Sequence, residues 1–104
     1  MIKITDTFDI RMLKTSWASI MFKEIDKEYA RKILLGGQSY IDSTDTAVAI
    51  SSDLGIKVPC NQEFAKLEPG DTMIVCQLQG GPLPEGITTL PKGFSFTYWM
   101  VFIQ

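Results

Sequence analysis

The stretch SYIDSTDTAVA, residues 39–49, decides how this chain folds. Residues 39–41 predict a short strand, and Ser43 or Thr44 is a good N-cap for the helix that follows. A turn from a strand into a helix presents backbone N–H groups at the positive end of the helix dipole, which suits an anion such as phosphate. The alternative interpretation is that these residues do no more than cap the helix.

The hydroxyl groups in this turn are the first candidate binding residues. Ser43, Thr44 and Thr46 are predicted to hold a phosphate. Two aspartates in the same turn, Asp42 and Asp45, would repel a phosphate unless their side chains point away.

The remaining hydrophobic pattern extends this unit into a mixed α/β domain. A helix is predicted from an N-cap at Asp26 to glycines 36 and 37, and the helix after residue 43 is predicted to end at Gly55. The fold class is therefore α/β, a single compact domain over residues 1–104 with one mixed sheet of five to six strands and two main helices. Predicted strands lie at 2–4, 19–25, 39–41, 63–67, 72–79 and 94–103.

Two details of the sheet follow from turn chemistry and burial. Strands 63–67 and 72–79 are joined by the sequence EPGD, which predicts a β-hairpin. The second half of strand 94–103 is apolar on both faces, so we expect cover on each side, with a second subunit as one source.

Composition excludes several classes of protein. The chain has 104 residues, a net charge of −2 and no histidine, which argues against binding to duplex DNA or RNA and removes the commonest general base near neutral pH. No stretch reaches the roughly 18 apolar residues of a membrane span. Without histidine or a CxxC pair a zinc site is not expected, and Cys60 and Cys76 are predicted to be reduced thiols of a cytoplasmic protein.

A second candidate site is the loop over residues 80–93, which holds four glycines and three prolines. Gly80 and Gly81 allow close approach of the backbone to a ligand, and Glu85 is the only carboxylate of the loop. The alternative is a surface loop that covers a sheet edge.

Two further groups are weaker candidates. Asp6, Asp9 and Arg11 lie in the first loop, where the guanidinium suits a phosphate, although such clusters are usually solvated turns. Asn61 and Gln62 offer amide donors and acceptors for a base or a ribose, or lie in a loop with no binding role.

Four segments together resemble the viral ring nucleases, type III anti-CRISPR proteins of archaeal viruses, phages and integrative elements. The segments are TDTFDIRML (5–13), KILLGG (32–37), the run 39–78 that contains LGIKVPCN and EPGD, and LPEG (83–86). The resemblance covers roughly residues 2–90. It implies a homodimer whose subunits form a pocket for a cyclic oligoadenylate second messenger, which the family cleaves.

The sequence departs from the family pattern at the positions that carry its chemistry. The family histidine precedes the second helix in an Ile-Gly-His-x-Ser-Thr pattern, and Ser43 stands at its place. The Asn-Arg pair becomes Asn61 and Gln62, and the arginine before Pro-Glu-Gly falls at Gly81 or Pro82. The N-terminal Asn-x-x-Ser-x-Asn pattern is replaced by a segment containing Asp6, Asp9 and Arg11, while the glutamate is kept as Glu85.

The resemblance and these departures together predict a binding protein. General acid–base catalysis contributes about 10²–10⁴-fold in rate, and the expected acid is missing. We therefore expect a viral or mobile-element anti-defence protein that sequesters a nucleotide second messenger in a homodimer pocket of the host cytoplasm, without efficient cleavage and with no metal or cofactor. The alternatives are an active ring nuclease or phosphodiesterase, and a protein-binding inhibitor that acts through residues 94–103.

Overall fold

A single mixed β-sheet organises the chain, as shown by a computed structural model that describes residues 2–35, 37–61, 63, 65–81, 86–87 and 89–104. In the described residues, five strands have the order β2-β5-β4-β1-β3. The strands are β1 (Lys3–Thr5), β2 (Ile20–Ile25), β3 (Gln38–Ser39), β4 (Thr72–Gln79) and β5 (Ser95–Ile103). The predicted α/β fold with one sheet and two helices is confirmed.

The sheet has a parallel half and an antiparallel half. Strand β1 pairs in parallel with β3 on one side and with β4 on the other, and Thr5 lies opposite Val75. Strand β5 pairs antiparallel with both β4 and β2. Because β1, β3 and β4 run in the same direction, their carboxyl ends face the same edge of the sheet.

Both helices begin at the predicted caps. In α1 (Lys27–Leu34) the backbone N–H of Tyr29 donates to Asp26 Oδ1 over 2.7 Å, and α2 (Thr44–Leu54) is capped by Ser43. Helix α2 ends at Gly55, whose φ of 75° is the left-handed conformation that glycine adopts readily. Neither helix of the described residues is long and apolar enough to span a bilayer.

The helices cover one face of the sheet, which we call the helix face. Its core joins apolar residues of α1 and α2 to alternate residues of the strands. Its fully enclosed members include Ala30, Ile41, Ile50, Leu54 and Ile74.

The opposite face, which we call the second face, is covered by irregular chain. A single 3₁₀ turn, Ile10–Met12, and the segment around Leu67 pack on Met73, Val101 and Ile103. The second half of β5 is therefore covered on both faces within one chain, so a second subunit is not required for that purpose.

The predicted hairpin is wrong in its first strand. The EPGD turn is present, since the N–H of Asp71 donates to the carbonyl of Glu68 over 3.0 Å. The described part of 63–67, however, contributes only an isolated bridge between Leu67 and Leu13. Strand β4 already pairs with β1 on one side and β5 on the other, so it has no edge left for a hairpin partner.

Candidate functional site

A crevice opens where the chain leaves two neighbouring parallel strands in opposite directions. After β1 the chain crosses to the second face, where Met12 is buried, and after β3 it enters α2 on the helix face. In α/β sheets, ligands bind at the carboxyl ends of strands whose connections diverge in this way. This crevice is therefore the candidate binding site.

The crevice is acidic. Its volume is about 260 Å³, and its charged lining residues are four carboxylates and one guanidinium. The described lining residues are Thr5, Asp6, Thr7, Asp9, Arg11, Met12, Tyr40, Asp42, Glu63 and Ala65. Carboxylates accept hydrogen bonds from hydroxyl and amino groups and repel phosphates, so the crevice suits the neutral, hydrogen-bond-donating part of a ligand.

Asp9 and Arg11 form a tight local unit within the crevice. Asp9 caps the 3₁₀ turn by accepting from the backbone N–H of Arg11 over 2.8 Å, and its Oδ2 also accepts from an Arg11 guanidinium nitrogen over 2.7 Å. The side-chain and backbone hydrogen bonds from Arg11 lower the pKa of Asp9 to about 2. Arg11, the predicted cationic contact for a phosphate, is thus already paired with the carboxylate of Asp9.

Asp6 behaves in the opposite way. Burial of its carboxyl group raises the pKa of Asp6, an effect that the hydrogen bond to its own backbone opposes and the negative charge of Asp42 reinforces. Among the described lining residues of the crevice, this carboxyl group is the one whose pKa is shifted in the direction that general acid catalysis uses.

Asn61, one of the predicted amide contacts, stabilises the wall of the crevice. The side-chain Nδ2 of Asn61 donates to the carbonyl of Ser39 over 3.0 Å, and its Oδ1 accepts from the N–H of Glu63 over 3.1 Å. Asn61 therefore fixes the chain beside the end of β3. Its neighbour Gln62 lies outside the described residues.

The α2 turn lies at the same edge of the sheet. Ser43 Oγ accepts from the backbone N–H of Thr46 over 3.3 Å. Of the two predicted N-caps, Ser43 and Thr44, it is therefore Ser43 that caps the helix. Ser43, Thr44 and Thr46 are not among the described residues that line the crevice, although Asp42, which precedes them, is.

The loop after β4 folds back onto the α2 turn. The N–H of Gly86 donates to Asp45 Oδ2 over 3.0 Å. Gly80 and Gly81 have φ of 111° and 109°, and a Cβ on Gly80 would lie 2.9 Å from the carbonyl oxygen of Gly93. Close packing within the loop thus explains Gly80. Glu85 and Pro82 lie outside the described residues.

Sequence reasoning missed three lining residues. Tyr40 and Glu63 line the crevice, and Thr5 is buried beneath it, where its hydroxyl donates to the carbonyl of Thr7 over 3.0 Å. Three further missed lining residues are Thr7, Met12 and Ala65. The available signal was position, because Tyr40 and Thr5 lie at the carboxyl ends of two predicted strands. Within the described residues, no group of three or more carboxylate or thiol side chains is arranged to hold a metal ion.

Comparison with known proteins places the chain in a family. The family model of STIV B116-like proteins matches residues 7–93, which is most of the chain. The structure is similar to B116 of Sulfolobus turreted icosahedral virus, with a TM-score of 0.80 and 20% sequence identity, over 97% of each chain. No curated protein matches the sequence. The chain therefore belongs to the STIV B116-like family of viral proteins, which has the viral ring nuclease-like fold that the sequence resemblance predicted.

Proposed function

We propose that this protein binds a small nucleotide-type immune signal at the crevice and sequesters it without efficient cleavage. The observation that carries the proposal is the crevice at the diverging ends of β1 and β3 in a family of viral proteins. Sequestration requires tight binding and slow release and no chemical step, so it is compatible with a site that has lost its acid catalyst.

The state of the polar residues supports binding over catalysis. The chain has no histidine. Asp9 has a pKa of about 2 beside Arg11, so it is ionised near neutral pH and is a poor proton donor. The hydroxyl group of Ser43, at the position of the family histidine, serves as the helix cap.

The acidic lining narrows the class of ligand. A ligand that carries ribose hydroxyl and base amino groups has donors for the carboxylates of Asp6, Asp42 and Glu63. Its phosphate is proposed to lie toward the α2 turn, near Thr44 and Thr46, away from those carboxylates. A ligand with few phosphates fits this arrangement better than one with a ring of them.

The rest of the proposal follows from the resemblance. A homodimer would bring two crevices together, and an anti-defence role would place the protein in the host cytoplasm. Gly81, Gln62 and Glu85 are further proposed ligand contacts.

A second candidate function is slow hydrolysis of the same ligand, and Asp6 favours it. Its carboxyl group lies at the crevice with a raised pKa, which suits proton transfer better than the lowered pKa of Asp9. The third candidate, a protein-binding inhibitor acting through β5, has less support, since β5 is paired on both sides and mostly buried.

The test is ligand-induced stabilisation followed by recovery of the ligand. Purified protein is melted, with detection by circular dichroism, in the presence of cyclic oligoadenylates, cyclic dinucleotides and ADP-ribose derivatives. A ligand at a hundredfold excess over Kd should stabilise the fold by about 2.7 kcal/mol. Mass analysis of the ligand released by denaturation then distinguishes the functions.

Each result has one meaning. Stabilisation with intact ligand supports sequestration, stabilisation with cleaved ligand supports the nuclease, and no stabilisation by any ligand overturns both. The variant Asp42→Trp is designed to fill the crevice, which Asp42 lines, and should abolish stabilisation. Ser52→Trp, at an exposed position of α2 outside the crevice, is the matched control. Light scattering tests the proposed dimer.

A further inference from the structure

A second cavity, which we call the aromatic cleft, opens on the second face of the sheet. Its volume is about 360 Å³, and it is lined by Phe8, Phe22, Val75, Gln77 and Trp99. Val75 and Trp99 are register partners on β4 and β5, so they form its floor. Phe8, from the loop after β1, forms a wall.

The rings of the cleft are already arranged around an open space. Phe8 and Phe22 pack edge to face, with centroids 6.0 Å apart and an interplanar angle of 83°. Phe22 nevertheless stays 52% exposed, and Trp99 is only half-buried. Three aromatic rings that meet at an unfilled cavity form a surface suited to a further flat ring.

The uncharged lining of the cleft favours an uncharged ring as its ligand. No charged side chain is among its described lining residues. The side-chain amide of Gln77 suits a heteroaromatic ring with a polar edge, because an amide offers both a hydrogen-bond donor and an acceptor to that edge. Charge is instead concentrated in the neighbouring crevice.

The cleft and the crevice lie side by side. Val75 of the cleft is the register partner of Thr5 of the crevice, and neighbouring strands are about 4.8 Å apart. Phe8 of the cleft stands between Thr7 and Asp9, which line the crevice. One molecule of nucleoside size therefore reaches both cavities.

We infer that the aromatic cleft is a stacking subsite for the nucleobase of a ligand whose ribose lies in the acidic crevice. This inference rests on the proposed function and names the part of the ligand that each cavity receives. The base stacks among Phe8, Phe22 and Trp99, Gln77 contacts its polar edge, and the ribose hydroxyls donate to crevice carboxylates. A volume of about 360 Å³ admits one nucleobase and not a whole cyclic oligonucleotide.

The experiment uses Trp99 as a reporter. The chain has two tryptophans, and Trp17 is 79% exposed and outside the cleft, so Trp17→Phe leaves Trp99 as the only emitter. Adenosine, guanosine, cytidine and uridine are titrated with excitation at the red edge of tryptophan absorption. Ribose, which has no base and no charge, is the probe for the crevice alone.

Saturable quenching by the nucleosides, stronger for purines and absent with ribose, is expected. Phe22→Ala should weaken binding about 5- to 150-fold, the usual range for loss of one stacking partner. Met21→Ala is the matched control, since Met21 is 51% exposed on the same strand but belongs to the opposite face. It should leave the Kd unchanged.

The outcomes separate this inference from the proposed function. Nucleoside binding that depends on Phe22, without stabilisation by any nucleotide signal, confirms the subsite and overturns sequestration. A nucleotide signal that stabilises the protein equally in wild type and Phe22→Ala, with Trp99 emission unchanged, overturns the subsite and leaves sequestration standing. Absence of any binding overturns both.

Discussion

The two faces of the sheet are covered by different kinds of chain, and they serve different ends. The helix face is closed by two capped helices over a continuous apolar core. The second face is closed by a 3₁₀ turn and irregular segments that leave the aromatic cleft open beside the acidic crevice. The second face has a buried apolar cluster of its own, but the irregular segments that cover it also line these two cavities. The difference places the cavities that carry both proposals on the second face.

The largest expected effect of a substitution is in the helix-face core. Ile74 on β4 is fully buried against this core, so Ile74→Ala should destabilise the fold by about 2–5 kcal/mol. Phe22→Ala on the second face should cost about 1 kcal/mol or less, because Phe22 is half exposed. Urea denaturation measures both. Equal losses would contradict the difference between the packed helix-face core and the open cleft.

The next effect concerns a polar contact inside that core. Tyr98 is buried, and its hydroxyl donates to Asp53, whose other oxygen is 3.2 Å from Lys27 Nζ. Burial raises the pKa of Tyr98 well above its usual value, so the hydroxyl stays a donor at all ordinary pH values.

Tyr98→Phe should therefore cost about 1.5–3 kcal/mol, the usual contribution of a hydrogen bond to a charged group. Tyr29→Phe, at an exposed position of α1, is the control and should be within about 0.5 kcal/mol of wild type. Thermal and urea denaturation give both values. A neutral Tyr98→Phe would mean that the contact with Asp53 contributes nothing net.

The reactivity of the two cysteines gives a further test of the difference between the two faces. Burial raises the pKa of the Cys76 thiol far above its usual value on the helix face. Cys60 is half-buried near the crevice, where its thiol donates to the carbonyl of Asp42. Because the thiolate is the reactive form, iodoacetamide should modify Cys60 in the native protein and Cys76 only after unfolding.

Mass analysis of the alkylated protein counts the modified thiols. The variant Cys60→Ser should show no native modification and one modification in denaturant. Rapid native labelling of that variant would show that the helix face is more open than its packing indicates.

The smallest expected effect is electrostatic and lies in the crevice. Because the native pKa of Asp6 is raised above its unfolded value of 3.8, the native state binds more protons between the two values. The free energy of unfolding should therefore fall as pH rises through that interval.

Asp6→Asn removes this pH-dependent loss of stability, so the variant should be more stable than wild type at pH 7. The difference in the free energy of unfolding should disappear at acidic pH. Chemical denaturation across pH measures the difference between the two proteins. A variant that is less stable at every pH would show that the Asp6 carboxylate is satisfied in the native state.

The elements that the sequence predicted well are those with local signals. Asp26 and Ser43 cap their helices, and Gly55 ends α2, since capping depends on side chains within a few residues of the helix end. The hydrophobic pattern over 72–79 and 94–103 predicted β4 and β5.

The errors come from pairings that depend on distant residues. The hairpin over 63–79 was inferred from a good turn, but β4 finds its partners in β1 and β5, far away in the sequence. The candidate site was predicted in part. Asp9 and Arg11 do line the crevice. Glu63 was missed because no local pattern marks it, and Tyr40 because its position at a strand end indicates a site only once the neighbouring strand is known.

The sequence by itself determined the α/β class, the helix ends, the absence of histidine chemistry and the resemblance to a viral family. These follow from local propensity and from residue identity, which need no knowledge of distant contacts. Only the tertiary structure decided that β1 and β3 are neighbours whose connections diverge, and that Phe8 meets Phe22 and Trp99 beside an acidic crevice. The physical reason is that a pocket is made by side chains from separate segments, and sheet pairing brings those segments together.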